Sequence, residues 1–267
     1  MTRIPQSLIK AYQDNRLILF VGSGISQNLN LPSWSDLIAQ LAGELGYDKD
    51  IYATFGDYLA LAEYYCLEKG IDTLCDRLNN EWHSSSINIF NSKIHSFLAH
   101  GNFPIIYTTN YDNWIENAFR AYNIDFDIIR NISDLSLLRP GVRKIIKFHG
   151  DFSDPKSIVL GETSYYERLN FESPLDIKFR ADLLDKEVLF IGYSLSDINI
   201  RFLFYKFSKL WKTKDKPANK VSAYIFTNKY NPIQQKIFKQ WKIKMITPEE
   251  YNPNTALIKF LSQLISK

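Results

Sequence analysis

Four short stretches of this chain carry residue types that bind and transform a charged small molecule. They are GSGIS (22–26), TTNYD (108–112), HGD (149–151) and GYSLSD (192–197). The first follows the apolar run LILFV. A buried strand that runs into a glycine-rich turn brings backbone N–H groups to one point, which suits an anion such as phosphate. A short Gly-x-Gly also occurs where a chain simply reverses, and the third glycine of the usual dinucleotide fingerprint is missing here. His149, with an ordinary pKa near ~6.5, can accept a proton at neutral pH. Each stretch also has a structural reading. Asn110 and Asp112 can cap the helix at Trp114, His149 can be a satisfied strand-end histidine, Gly192 can end a strand, and Asp197 can be the N-cap of a helix from Ile198.

Residues in such stretches act together only if the fold brings them to one edge, and the elements read from the pattern do so. Apolar runs at 17–21, FPIIYTTNYD, FDIIR, KIIKFHG, SIVLGE, EVLFIGYSLSD, KVSAYIFTN and IKMIT read as strands. Between them lie segments with helical spacing, among them LPSWSDLIAQLAGELG, where Ser33 or Ser35 caps the start and Gly46 the end. Strands of continuous apolar residues alternating with helices imply a doubly wound (Rossmann-like) α/β fold with a parallel sheet covered on both faces. Residues 50–100 read as a helical insertion with few strand signals. The expectation is a single domain over residues 1–267. In such sheets ligands bind beyond the carboxyl ends of the strands, which is where all four stretches fall.

Composition narrows the class. With 267 residues, 45% hydrophobic and 23% charged, the chain can bury a core without covalent staples. The opening MTRIPQSLIKAYQDNR lacks the apolar core of a signal peptide, and no apolar run is long enough to span a bilayer, so a cytoplasmic protein is expected. Two cysteines, Cys66 and Cys75, and four histidines are not arranged as a zinc module, and no metal is expected. Residues 1–200 carry 18 Lys+Arg against 26 Asp+Glu, whereas 201–267 carry 14 against 3. The basic segment 201–244 is a candidate face for an acidic partner or for nucleic acid, or else a set of solvated lysines on amphipathic helices. Lys147 reads as a strand residue facing solvent, and Trp34 and Tyr193 as core aromatics that could also stack on a ring.

The ordered set GSGIS, TTNYD, KFHG and GYSLSD resembles the NAD-binding motifs of the Sir2 (sirtuin) superfamily, most closely the SIR2-like branch of bacterial anti-phage defence systems. The resemblance runs from about Leu17 to Ser196. It implies that Gly22, Ser23 and Gly24 lie against the NAD pyrophosphate, and that Ser26 and Thr109 also bind NAD. It further implies that Gly192 and Ser194 contact the phosphates or the adenine-side ribose, and that Asp197 is either a nucleotide contact or a helix cap. Asn110 would hold a water or a ribose hydroxyl, Asp112 the carboxamide, and His149 would take a proton. The chain departs from the deacylase pattern in lacking four zinc-binding cysteines and in reading LPSWSDL after the first loop.

The resemblance therefore implies an NAD+ hydrolase that uses NAD+ as substrate, without metal, and depletes it in defence. A regulatory module that binds NAD or ADP-ribose without catalysis, and a sirtuin-like protein deacylase, remain as alternatives. Since uncontrolled hydrolysis would poison the host cell, control is expected from a homo-oligomer or from a separately encoded partner such as a HerA-like ATPase or an Argonaute-type protein.

Overall fold

A run such as LILFV has no polar face, so the strand it forms must be covered on both sides. The computed structural model describes residues 3–169, 172–193, 201–202, 205–206, 208–209 and 223–267. In it β1 (Leu17–Val21) is buried along its whole length at the middle of a sheet of seven parallel strands. The others are β2 (Ile105–Thr108), β3 (Phe126–Ile129), β4 (Arg143–Lys147), β5 (Glu187–Ile191), β6 (Ala223–Phe226) and β7 (Ile243–Ile246). Their order is β3-β4-β2-β1-β5-β6-β7. The chain builds outward from β1 through β2 to β3, returns to insert β4 between β3 and β2, then crosses to β5 on the other side, so the topological switch point lies between β1 and β5.

Alternate residues of β1 feed two cores. Leu17, Leu19 and Val21 pack under α1 (Gln6–Gln13), α6 (Lys93–His100), α7 (Trp114–Ala121) and the closing helix α12 (Pro253–Ile265). Ile18 and Phe20 pack under α10 (Pro174–Asp185) and α11 (Pro232–Gln240). The doubly wound expectation holds, and its physical basis is the period of two along a strand buried on both faces.

A third core stands over the carboxyl edge of the sheet. Helices α2 (Trp34–Glu44), α3 (Lys49–Tyr52), α4 (Tyr58–Lys69) and α5 (Ile71–Trp82) close around Leu41, Tyr52, Tyr65 and Leu78. Tyr111, Phe152 and Leu160 from the sheet loops enter the same cluster and fasten it to the strands. Of the two candidate caps for α2, Ser33 is used: its hydroxyl accepts from Asp36 N, and Asp36 in return accepts from Ser33 N in a capping box. Helix α6 falls within 50–100 but packs in the layer of α7 and α12, so only the part up to α5 forms the separate helical cluster.

Two readings of the chain are corrected. SIVLGE does not form a strand: residues 158–160 lie outside the sheet and are tied instead to the loops after β4 and β2. Val159 donates its N–H to His149 O at 3.1 Å and accepts from the Tyr111 hydroxyl at 2.6 Å. The chain then forms α9 (Glu162–Leu169), a helix whose polar character hid it. Lys147 does not face solvent. It is fully buried, for reasons given below.

Candidate active site

The strand ends expected to carry chemistry meet in one cavity of about 670 Å³. It runs beneath the third core, along the ends of β4, β2, β1, β5 and β6, and is lined in that order by His149, Asn110, Ser23, Gly192 and Lys229. Four strand spacings of ~4.8 Å make this edge roughly 19 Å long. Ser26, Thr109 and Asp112 also line it. Ser194 and Asp197, and residues 203–204, 207 and 210–222 of the basic segment 201–244, lie outside the described residues.

At the switch point two glycine turns pack against each other. Gly22 N donates to Ile191 O and Gly24 N to Gly192 O, each at 3.0 Å. A side chain on Gly24 would meet Gly192 O at 2.9 Å. Gly192 itself has φ +71 and stands where a Cβ would lie 2.7 Å from Ile25 Cγ1, so both its conformation and its surroundings require glycine. These glycines are thus needed for loop packing, and two of the backbone donors expected to face an anion are spent on β5. Ser23, exposed at the start of the 3-10 turn Ser23–Leu29, is the residue of this loop that faces the cavity along with Ser26 and Gln27.

The loop after β2 is tied at every residue. Thr108 Oγ1 donates to Val21 O at 3.0 Å and accepts from Asn110 N at 3.0 Å. The hydroxyls of Thr109 and Tyr193 meet at 2.8 Å. Ser26 Oγ donates to Asp112 Oδ2 at 2.7 Å. Its single proton being used there, Ser26 must accept from Asn110 Nδ2, at 2.9 Å, and Gly22 O takes a second bond from the same amide at 3.3 Å. The network therefore fixes the orientation of Asn110. Its Oδ1, buried at the cavity, has no hydrogen-bond partner among the described residues. A buried acceptor without a partner costs free energy unless a further donor completes it. Asp112 also accepts from Trp114 N at 3.1 Å, so it serves α7 as a cap as well as facing the cavity.

His149 stands opposite. It is 8% exposed, stacked beside Phe148 and met edge-on by Tyr165 with ring centroids 5.5 Å apart. Burial, reinforced by the Arg168 guanidinium, pushes its pKa down to about 3, so at neutral pH it is an uncharged imidazole. Arg168 is held over the Phe148 ring at 4.5 Å and paired with Asp176 at 2.9 Å. The near-neutral titration expected of His149 is thereby replaced by that of a weak base that accepts hydrogen bonds. Asp151, two residues on, pairs with Arg130 at 2.8 Å and accepts from Ser153 N, and its carboxyl is held low despite its burial.

Several lining residues escaped the sequence pattern. Tyr165 sits on α9, which had no strand or motif beside it, and Trp34 and Tyr193, assigned mainly to the core, both line the cavity. Trp82 joins them through the third core. Its carbonyl accepts from the Trp114 indole at 2.9 Å, and His83 Nε2 accepts from Asn113 N at 2.9 Å, so α5 is fastened to the loop bearing Asn110. Among the described residues no group of three His, Cys, Asp or Glu could hold a metal ion. Cys66 and Cys75 are free thiols whose burial pushes their pKa values up to about 11 and 12. No described helix is long and apolar enough to cross a membrane.

Comparison with known proteins agrees with this geometry. A SIR2-like domain family matches residues 104–246. The chain is 24% identical over 268 residues to the NAD(+) hydrolase ThsA of Bacillus cereus (strain MSX-D12), covering 93% of this chain and 54% of that protein. It is 27% identical over 214 residues to Defense-associated sirtuin 2 of Bacillus subtilis, covering 78% of this chain and 21% of that protein. It thus spans about half the length of the first relative and about a fifth of the second. The fold is that of a crystallised Sir2 homolog–NAD complex, at a TM-score of 0.51 and 11% identity over 98% of this chain and 94% of the other.

Proposed function

The chain belongs to the SIR2-like domain family, and from that premise we propose that its cavity takes NAD+ as substrate and hydrolyses it to nicotinamide and ADP-ribose. The observation that carries this reading is the Oδ1 of Asn110, which has no partner among the described residues and is buried with the uncharged His149 in a cavity long enough for a dinucleotide. The names of the relatives, an NAD(+) hydrolase and a defence-associated sirtuin, support it.

Cleavage breaks the bond between ribose C1′ and the nicotinamide nitrogen, and the electron pair leaves with nicotinamide as a neutral molecule. Positive charge then develops on the ribose ring. Asn110 Oδ1 accepts from a water or a ribose hydroxyl and fixes it beside C1′. As that water adds to C1′ it becomes strongly acidic, so even a weak base such as His149 can take its proton and pass it to solvent. Asp112 orients the carboxamide through a lone pair not used by Ser26 or Trp114. Ser23 and Thr109 meet the phosphates, Ser26 acts through the network that holds Asn110 and Asp112, and Gly192, Ser194 and Asp197 belong to the adenosine half. Holding these groups in one geometry supplies much of the rate.

The same reading makes the chain the NAD-depleting part of an anti-phage defence system. Its activity would be controlled by self-assembly or by a separately encoded partner such as a HerA-like ATPase or an Argonaute-type protein. The basic segment 201–244 is the proposed docking face for that partner or for nucleic acid.

A time course of NAD+ with purified protein, resolved by chromatography, tests the chemistry. Wild type should release nicotinamide and ADP-ribose, and Asn110→Ala and His149→Ala should each lose about a thousandfold in rate with a cooperative thermal transition retained. Wild-type turnover by both variants would refute the mechanism. NAD+ binding with no turnover by wild type would leave a silent enzyme that awaits its partner or the binding module.

A further inference from the structure

Behind the cavity a pair of fully buried charges spans three elements. Lys147, the last residue of β4, and Glu116, in the first turn of α7, are each 0% exposed, and their charged groups lie 3.3 Å apart. Lys147 Nζ also donates to Asp112 O at 2.5 Å and to Tyr111 O at 3.4 Å. The Glu116 oxygens have no hydrogen bond among the described residues, so the ammonium is their one close compensating charge there.

Burying two charges is costly, and a buried ion pair is often no more stabilising than apolar side chains of the same volume. Stability is therefore a poor explanation for this pair. Its geometry is more specific. The two carbonyls that Lys147 grips belong to the residues directly after Asn110, and one of them belongs to Asp112 itself. Two residues further along the same chain stands His149. One ammonium thus sets the loop after β2 against the end of β4, and so sets Asn110 and Asp112 against His149. Glu116 holds that ammonium in place from α7.

We infer that Lys147 and Glu116 are positioning residues, whose function is to hold the Asn110–Asp112 loop in register with His149 rather than to stabilise the fold. Their kinetic readout rests on the NAD+ cleavage proposed above. Neither residue lines the cavity, so neither is expected to touch the substrate.

The test uses the full chain and two variants. Lys147→Met with Glu116→Leu removes both charges together and leaves no unpaired ion. Glu116→Gln removes one charge but keeps the grip of Lys147 on the two carbonyls. The double variant is expected to fold cooperatively, to lose about a hundredfold in kcat for nicotinamide release with KM within about threefold of wild type, and to lose amide-exchange protection only around residues 109–114. Glu116→Gln should lose no more than about threefold. Wild-type kcat in the double variant would overturn the inference, as would unchanged protection of 109–114, a loss of protection spread through β1 and β5, or failure to fold. If wild type itself released no nicotinamide, the kinetic readout would be lost with the proposed cleavage, and the exchange pattern alone would still decide the positioning role.

Discussion

The two ends of the sheet both bury polar groups, and they finish them differently. At the amino end Glu187 opens β5, donating its N–H to Arg16 O at 2.9 Å and accepting from the Tyr224 hydroxyl at 3.1 Å. Tyr224 meets Ser7 Oγ at 2.7 Å, and burial together with Glu187 raises its pKa. That cluster satisfies its buried members from within the protein, ends on the exposed Ser7, and joins α1, β5 and β6. At the carboxyl end Ser26, Asn110, Asp112, Lys147 and Glu116 form a more deeply buried network, yet among the described residues it leaves Asn110 Oδ1 without a partner beside an uncharged histidine. A closed cluster fastens elements together. An open one is completed by something that arrives.

The largest effect should come from breaking the carboxyl-end network at its charge. Lys147→Met alone leaves Glu116 buried and uncompensated, which costs about 3–5 kcal/mol and lowers the thermal midpoint by about 10 °C. A fall below about 3 °C in a circular-dichroism melt would show that this end tolerates loss as readily as the amino end.

Acid should act on the carboxyl end next. His149 has its pKa lowered to about 3 by burial and Arg168, and His95 to about 4 by burial, against a counteracting Asp112. In the unfolded chain both titrate near ~6.5. As the pH falls below that value the unfolded chain binds protons that the folded chain refuses. Stability is thus greatest above about 6.5 and is lost toward pH 4 and 3, by roughly 2 kcal/mol for each histidine at pH 5. Urea midpoints at pH 7.5 and 5 should show this loss, and His149→Gln should recover about half of it. Equal losses in wild type and variant would mean that His149 is protonated in the folded chain.

A matched pair of serines sharpens the contrast. Ser26→Ala removes the hydroxyl that both receives from Asn110 and gives to Asp112, and should cost about 1–2 kcal/mol and about tenfold in nicotinamide release. Ser7→Ala removes one contact of the closed cluster and should cost about 0.5–1 kcal/mol with turnover unchanged. If Ser7→Ala slowed turnover as much as Ser26→Ala, the distinction between the two ends would not hold.

Much of this molecule was legible before any coordinates. The apolar run of β1 and the four apolar residues that follow Glu187 in β5 read as strands covered on both faces, and the glycine and polar residues that follow them had to lie at one edge once the sheet was parallel. That reasoning brought Asn110, Asp112, His149 and the glycine turns together correctly, because strand direction alone decides which ends meet. It missed α9 with Tyr165, since a short polar helix carries no apolar period to read. It also read SIVLGE as a strand, because a local apolar run does not reveal which partners the fold gives its backbone, here His149 O and the Tyr111 hydroxyl.

What local pattern determined, then, was the elements, the parallel sheet and the edge that carries the chemistry. The tertiary structure decided three things that depend on neighbours distant in sequence. Close packing of Gly24 on Gly192 gave those glycines a steric role. Burial and Arg168 changed His149 from a near-neutral titrating group into a weak base. Glu116, 31 positions earlier in the sequence, and the carbonyls of Tyr111 and Asp112 made it possible for Lys147 to be buried at all. Charge solvation and steric fit depend on every atom within a few ångströms, and those atoms come from parts of the chain that only the fold brings together.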